Sequence, residues 1–189
     1  MEKIYQIRRI YTKKTSFHNA TEMPINRHKC WVFKEISEMI KVLFICHGNI
    51  CRSTMAESIM TYLVKQAGVE DQFYINSAAT SCEEIGNPPH SGTVAKLKAE
   101  GIPVIPHRAV QMTLNDYEEY DYLIGMDTEN IRNMQRLSGG DPDEKVYKLM
   151  TFADSGSDVA DPWYTGDFEA TYKDVRKGCG GLLKVLMNF

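Results

Sequence analysis

From residue 40 onward, short apolar runs alternate with longer segments whose apolar positions recur at helical spacing. Val42-Leu-Phe-Ile45, closing on Cys46, is too short for a helix and reads as a buried strand. Met55, Ala56, Ile59, Met60, Leu63, Val64 and Ala67 then fall on helical spacing, and Gly68 ends that run. Ser53 opens this helix, with Thr54 and Glu57 at capping-box spacing. Phe73-Tyr-Ile75 predicts a second strand, residues 91–100 a helix closed by Gly101, and Pro103 and Pro106 a loop. Tyr120 to Met126 predicts the third strand, Thr128 caps a helix running through Leu137, and Val146 to Met150 is the fourth strand. A final helix puts Phe168, Tyr172, Val175, Cys179, Leu182 and Leu186 on one face. It also contains Gly178, Gly180 and Gly181, each worth about 1 kcal/mol of lost helix stability against alanine. Strands alternating with helices predict an α/β fold: a three-layer sandwich, a four-stranded parallel sheet with helices on both faces.

Composition narrows the setting. With 43% hydrophobic and 25% charged residues, the 189-residue chain can bury a full core. No stretch approaches the ~18 apolar residues of a membrane span, and the N-terminus lacks the apolar run of an export signal. Five cysteines, an odd number without paired spacing, point to a reducing compartment, so a cytoplasmic location is expected. Charge divides the chain unevenly. Residues 1–38 carry 8 Lys/Arg against 4 Asp/Glu, leaving 14 against 21 for the remainder and −3 in total. That basic leader lacks the interleaved aromatics of a nucleic-acid surface, so no nucleic acid is expected as partner. Residues 1–38 therefore read as an N-terminal extension ahead of a domain at 39–189, with Met39 as the expected native start or the leader as dispensable. Mass spectrometry of the native N-terminus tests this.

The chemistry concentrates at the first strand's end. Cys46-His-Gly-Asn-Ile-Cys-Arg-Ser53 runs from strand to helix through Gly48 and Asn49, the residue types that most readily take positive φ. Backbone N–H groups of such a loop converge beside a helix N-terminus and form a nest for a phosphate-like anion. A thiol at Cys46 above that nest is expected to be held as the thiolate nucleophile. Arg52 offers a planar fork for two phosphoryl oxygens, and Ser53 a hydrogen bond to the sulfur. Phosphoryl transfer to cysteine follows. Read alone, Cys46 and Cys51 could equally be ordinary buried thiols.

The loop, followed by Met55-Ala-Glu57, resembles the phosphate loop of the low-molecular-weight protein tyrosine phosphatases. Asn76-Ser-Ala-Ala-Thr80, Ile85-Gly-Asn-Pro-Pro89, Gly101-Ile-Pro103, Tyr122-Leu-Ile-Gly-Met-Asp127 and Asp161-Pro-Trp-Tyr164 match further motifs in the family's order, over about residues 40–189. The resemblance implies hydrolysis of phosphotyrosine in proteins, without a cofactor or metal, by a monomer or weak dimer that engages no membrane. It places His47, Gly48, Asn49, Ile50, Cys51 and Ser53 around the phosphate, with Trp163 and Tyr164 walling an aryl group. Asp154, Asp158, Asp161 and Asp167 all lie near enough in sequence to supply an acid, and the resemblance selects Asp161. It further implies Ser77 and His107 as supports of Asn49, although Pro106-His-Arg-Ala-Val-Gln111 is shuffled against the family's His-x-Ala-Arg. Cys51 is implied as a redox partner of Cys46. Cys82, Glu83 and Glu84 stand where eukaryotic members carry glycine and an aromatic, an acidic change expected to disfavour acidic phosphopeptides. Thioredoxin-coupled arsenate reductases share the loop but need two further cysteines close together, and Cys82 and Cys179 are far apart in sequence. A non-catalytic phosphotyrosine-binding module would need neither Asp161 nor an ionisable Cys46.

Overall fold

The computed structural model describes residues 39–187; the expected extension at 1–38 lies outside the described residues. Four strands, β1 (Ile40–Cys46), β2 (Phe73–Ala79), β3 (Tyr122–Gly125) and β4 (Val146–Lys148), form one sheet in the order β2-β1-β3-β4. Every pairing is parallel, which requires a crossover between successive strands. Helices α1 (Arg52–Gln66), α2 (Ser91–Ala99), α3 (Leu114–Glu119) and α4 (Thr128–Leu137) lie in those crossovers, and α5 (Pro162–Thr165) and α6 (Phe168–Met187) follow the last strand. This is the α/β architecture expected from the alternation. The central strand β1 is buried along both faces, so it reads as a continuous apolar run rather than an alternating one. Leu43 and Ile45 join Leu123, Met134 of α4 and Tyr117 of α3 in one core layer. Helices α1, α2 and α6 pack together, with α1 also against β1 and β2.

Several boundaries differ from the sequence reading. The capping box at Thr54 and Glu57 does not form: Cys51 is the N-cap of α1 and its side chain makes no cap bond. Thr54 Oγ1 donates instead to the Cys51 carbonyl, and Glu57 turns beneath the loop. Asp127, not Thr128, caps α4, accepting from Asn130 N–H at 2.6 Å. β2 runs four residues past Ile75 because Asn76 to Ala79 pair with β1 as far as Cys46. β3 is trimmed at both ends, and β4 stops at Lys148, where Leu149–Ala153 turns into a 3-10 helix. Helix α3 lies in a stretch to which apolar spacing assigns no element, and Thr113 and Asp116 cap it reciprocally.

Two of the three α6 glycines, Gly178 and Gly181, find their reason in that 3-10 segment, whereas a Cβ on Gly180 would meet nothing within 4 Å. A Cβ on Gly181 would lie 1.9 Å from the Phe152 carbonyl oxygen, and one on Gly178 2.5 Å from Leu149 Cγ. Their lost helix propensity is what lets α6 lie against the chain leaving β4. Val175, Cys179, Leu182 and Leu186 are buried there as expected, whereas Phe168 and Tyr172 stay partly exposed. Among the described residues, no helix is long and apolar enough to cross a membrane.

Candidate active site

Cys46 closes β1 and Arg52 opens α1, so the five residues between them turn the chain through a tight loop. The positive φ falls on Asn49, at 57°, and not on Gly48. Gly48 matters for space, because a Cβ there would lie 3.1 Å from Glu84 Cγ. The Cys46 sulfur accepts from the Asn49 backbone N–H at 3.3 Å and lies 3.1 Å from Ser53 Oγ. Ser53 Oγ in turn accepts from Asn49 Nδ2 at 2.9 Å, which leaves the serine hydrogen free to point at the sulfur.

Asn49, wholly buried, uses its entire amide. Its Nδ2 donates to Ser53 Oγ and to Ser77 Oγ at 2.8 Å, and its Oδ1 accepts from His107 Nε2 at 2.6 Å and Val110 N–H at 3.1 Å. Ser77 passes its own hydrogen to Glu57 Oε2 at 2.6 Å. His107 Nε2 must be the donor to a carboxamide oxygen, so its Nδ1, 3.4 Å from Glu57, faces a carboxyl with which it shares one proton. Burial pushes Glu57 up to about 7, the Ser77 bond acting against it, and burial also lowers His107. Both shifts favour the neutral forms, so below about pH 7 the proton of this pair rests on Glu57. Ser77 and His107 both reach Asn49, the positions the resemblance gave them.

Arg52, 4% exposed, carries its fork between two carboxylates. Nη1 lies 2.6 Å from Asp127 Oδ2 and Nη2 lies 2.6 Å from Asp161 Oδ2. Burial opposes the guanidinium charge, but Cys46, Asp161 and Asp127 outweigh it and hold Arg52 above its usual range. Asp161 is the N-cap of α5, its Oδ1 accepting from Trp163 N–H at 3.0 Å. The Asp-Pro-Trp-Tyr segment, read from sequence as a turn, is thus a single helical turn with Pro162 at its first position, where a missing N–H is harmless.

One pocket gathers most of the expected residues: Cys46, His47, Gly48, Ile50, Cys51, Arg52, Asp161, Trp163 and Tyr164, with Glu83 and Glu84 at its rim. Asn49 and Ser53, expected to touch the phosphate, lie beneath the loop with no exposed surface and act on it from below. His47 reaches outward to Glu83 at 3.0 Å. Trp163 and Tyr164 are 60% and 86% exposed, a wall open to solvent on its outer side. Cys51 is buried in the same loop as Cys46, and burial first, then the charges of Cys46 and Asp161, push its thiol up to about 12. A sulfur accepting two hydrogen bonds, a guanidinium fork and a carboxyl facing one cavity can hold a tetrahedral oxyanion over the sulfur and move a proton at its outer oxygen.

A profile of the low molecular weight phosphotyrosine protein phosphatases matches residues 41–188. The chain belongs to that family. It is 40% identical over 147 residues to the low molecular weight protein-tyrosine-phosphatase YfkJ of Bacillus subtilis, covering 77% of this chain and 94% of the relative. The low molecular weight phosphotyrosine protein phosphatase of Gallus gallus is 38% identical over 152 residues, covering 78% and 96%. Among solved structures, YfkJ superposes with a TM-score of 0.77 over 80% of this chain and 96% of that one. The Streptococcus pyogenes enzyme does so with a TM-score of 0.72 at 45% identity, over 79% and 94%.

Two residues of this family member's site escaped the sequence reading. Asp127 ends the Tyr122-Leu-Ile-Gly-Met-Asp127 motif, but nothing local says that its carboxylate meets Arg52 across the sheet. Glu57 stands at capping-box spacing from Thr54, and nothing local says that it faces Ser77 and His107 instead. A carboxylate directly after a buried parallel strand was the available signal for Asp127, since ligands gather at the carboxyl ends of such strands.

Proposed function

We propose that this phosphatase hydrolyses phosphotyrosine in proteins, and small aryl phosphates, through a phosphocysteine intermediate. The observation that carries the reading is the shared fork: Arg52 Nη2 rests on Asp161 Oδ2, in the same pocket as Cys46. An incoming phosphoryl group competes for that nitrogen, which brings the acid and the transferred group to adjacent positions. In the first step the Cys46 thiolate attacks phosphorus, the P–S bond forms and the P–O(aryl) bond breaks. Asp161 gives its proton to the departing phenolic oxygen. Water then attacks the phosphocysteine and loses a proton to Asp161; the P–S bond breaks and Cys46 leaves as thiolate. Ser53 and the Asn49 N–H support that returning charge. Arg52 and the loop hold the equatorial oxygens, and Trp163 and Tyr164 flank the ring. The names of the curated relatives favour the same substrate class.

Turnover of p-nitrophenyl phosphate, together with a mass increment of one phosphate on acid-quenched protein, tests this. Cys46→Ser is expected to lose at least about 10⁴-fold in rate and the phosphoprotein with it. Equal turnover by wild type and variant would remove Cys46 from the mechanism. A protein that binds phosphotyrosine peptide without turnover would be a recognition module instead. The arsenate reductase alternative has little to stand on, with Cys82 exposed and Cys179 fully buried in α6.

Cys51 is proposed to protect the nucleophile. Peroxide oxidises Cys46 to a sulfenic acid, which condenses with the Cys51 thiol to a disulfide and water. Peroxide inactivation of Cys51→Ser is expected to become irreversible by added thiol. Full thiol recovery of that variant would count against the role.

A further inference from the structure

The segment from Asp154 to Asp161 carries the proposed acid but contains no helix or strand of its own. Contacts from three directions fix it. Val159, 2% exposed, donates its N–H to the Met126 carbonyl at 2.9 Å. Ala160 N–H donates to Asp174 Oδ2 of α6 at 3.0 Å, and its carbonyl accepts from Thr171 Oγ1 at 2.9 Å. The third contact is Asp158, whose Oδ1 accepts from Thr128 N–H at 3.1 Å, Thr128 Oγ1 at 3.1 Å and Lys148 Nζ at 2.9 Å. Lys148 Nζ also donates to the Gly156 carbonyl at 2.6 Å. Partial burial works against the Asp158 charge, yet Lys148 and the Thr128 donors hold its carboxyl below the usual range.

What Asp158 grips matters more than how firmly. Thr128 directly follows Asp127, which holds one nitrogen of the Arg52 fork, and Asp161, which holds the other, comes three residues after Asp158. Arg52, Asp127, Thr128, Asp158 and Asp161 thus close a ring of bonds around the phosphate clamp. Thr128 and Asp158 are the members of that ring that join the two carboxylates without touching the fork, and Asp158 is the one on the acid's own segment. Because an incoming phosphoryl group competes with Asp161 for Arg52 Nη2, the ring opens on that side during turnover. The acid must then be held to about half an ångström by its own segment's tethers.

We propose that Asp158, gripped by Thr128 and Lys148, is a positioning residue that sets where the Asp161 carboxyl stands over the leaving oxygen. The proposal rests on the phosphatase reading given above. It makes a specific kinetic demand: loss of Asp158 must weaken protonation of the leaving group, not binding or attack. Asp158 is half exposed, and its loss leaves the Val159 and Ala160 contacts in place, so the segment stays docked but less exactingly placed.

The test compares kcat/KM on p-nitrophenyl phosphate, whose leaving group needs little protonation, with that on phenyl phosphate, whose leaving group needs much. Asp158→Ala is expected to lose about tenfold more on phenyl phosphate than on p-nitrophenyl phosphate, as a misplacement on the ångström scale does. Asp158→Asn keeps an acceptor for Thr128 and Lys148→Met keeps the aspartate, so both shift the same way by less. In an Asp161→Asn background, Asp158→Ala should add no more than about twofold, because the group it positions is gone. Equal losses on both substrates, no loss on either, or an undiminished loss in the Asp161→Asn background would each overturn the proposal. Should Asp158→Ala melt at the assay temperature, the two milder variants supply the test through their smaller shift in the same ratio. A wild type that turns over neither substrate sinks the phosphatase reading and this proposal with it; one active on both, with equal losses in the variants, sinks only the proposal.

Discussion

The two halves of the site are held by different means. Below the phosphate loop, Asn49, Ser53, Ser77 and Glu57 are each at most 3% exposed, and their polar atoms are matched to one another. Across the pocket, the Asp161 segment is anchored at the buried Val159 and Thr171 but is also tied through the half-exposed Asp158, with Trp163 and Tyr164 largely in solvent. A buried polar network that is fully satisfied rigidifies, because leaving any member unpaired costs a full desolvation penalty. Solvent-side tethers are weaker and more easily exchanged. The difference suits the proposed roles: sulfur and fork would already be in place when the phosphate arrives, whereas Asp161, as the proposed acid, would give up Arg52 and let product out.

That contrast predicts changes of different kind on the two sides. The largest lies at the acid. Asp161→Asn is expected to lose about 10²-fold or more in kcat/KM on phenyl phosphate and clearly less on p-nitrophenyl phosphate, with little change in melting temperature. A uniform loss on both substrates would show that Asp161 serves structure rather than proton transfer.

Beneath the loop the effect should appear as stability. Asn49→Ala leaves Ser53, Ser77, His107 and the Val110 N–H short of a partner and puts a Cβ-bearing residue at positive φ without a compensating side-chain bond. Denaturant unfolding is expected to show about 2–4 kcal/mol of lost stability. Asn49→Gly, which tolerates the backbone, should recover about 1 kcal/mol of it. If alanine and glycine prove equal, the left-handed turn contributes nothing and the hydrogen bonds alone matter.

The smallest and most specific effect concerns Glu57. Burial raises its carboxyl from 4.5 to about 7, so the folded protein holds this proton more tightly than the unfolded chain does. The resulting stability is fully present below pH 4.5 and is lost as pH rises through about 7. Wild type should therefore lose stability relative to Glu57→Gln between about pH 5 and about pH 8, by on the order of 2 kcal/mol. A stability difference that stays flat over that range would mean the proton is not on Glu57.

Most of the fold was legible in the chain because apolar spacing and glycine placement are local signals. Gly68 ends α1 at φ 68°, and Gly101 follows α2 at φ 69°, both where the periodicity stopped. Boundaries failed where tertiary contacts decide: β2 lengthens because β1 offers it partners, and β4 shortens because Leu149 turns down onto Gly178. Helix α3 was missed since one short amphipathic turn carries too few periodic positions to stand out from a loop.

The sequence by itself determined the strand–loop–helix that sets Cys46, Arg52 and Ser53 together, since eight consecutive residues can reach one another through backbone geometry alone. Only the tertiary structure decided that Asp127 and Asp161 share the Arg52 fork, that Glu57 faces inward, and that Asp158 ties the two carboxylates together. The contacts that make those arrangements join residues 20 or more positions apart along the chain, and a parallel sheet brings them to one end only after every crossover is closed. No periodicity within a single element encodes that meeting.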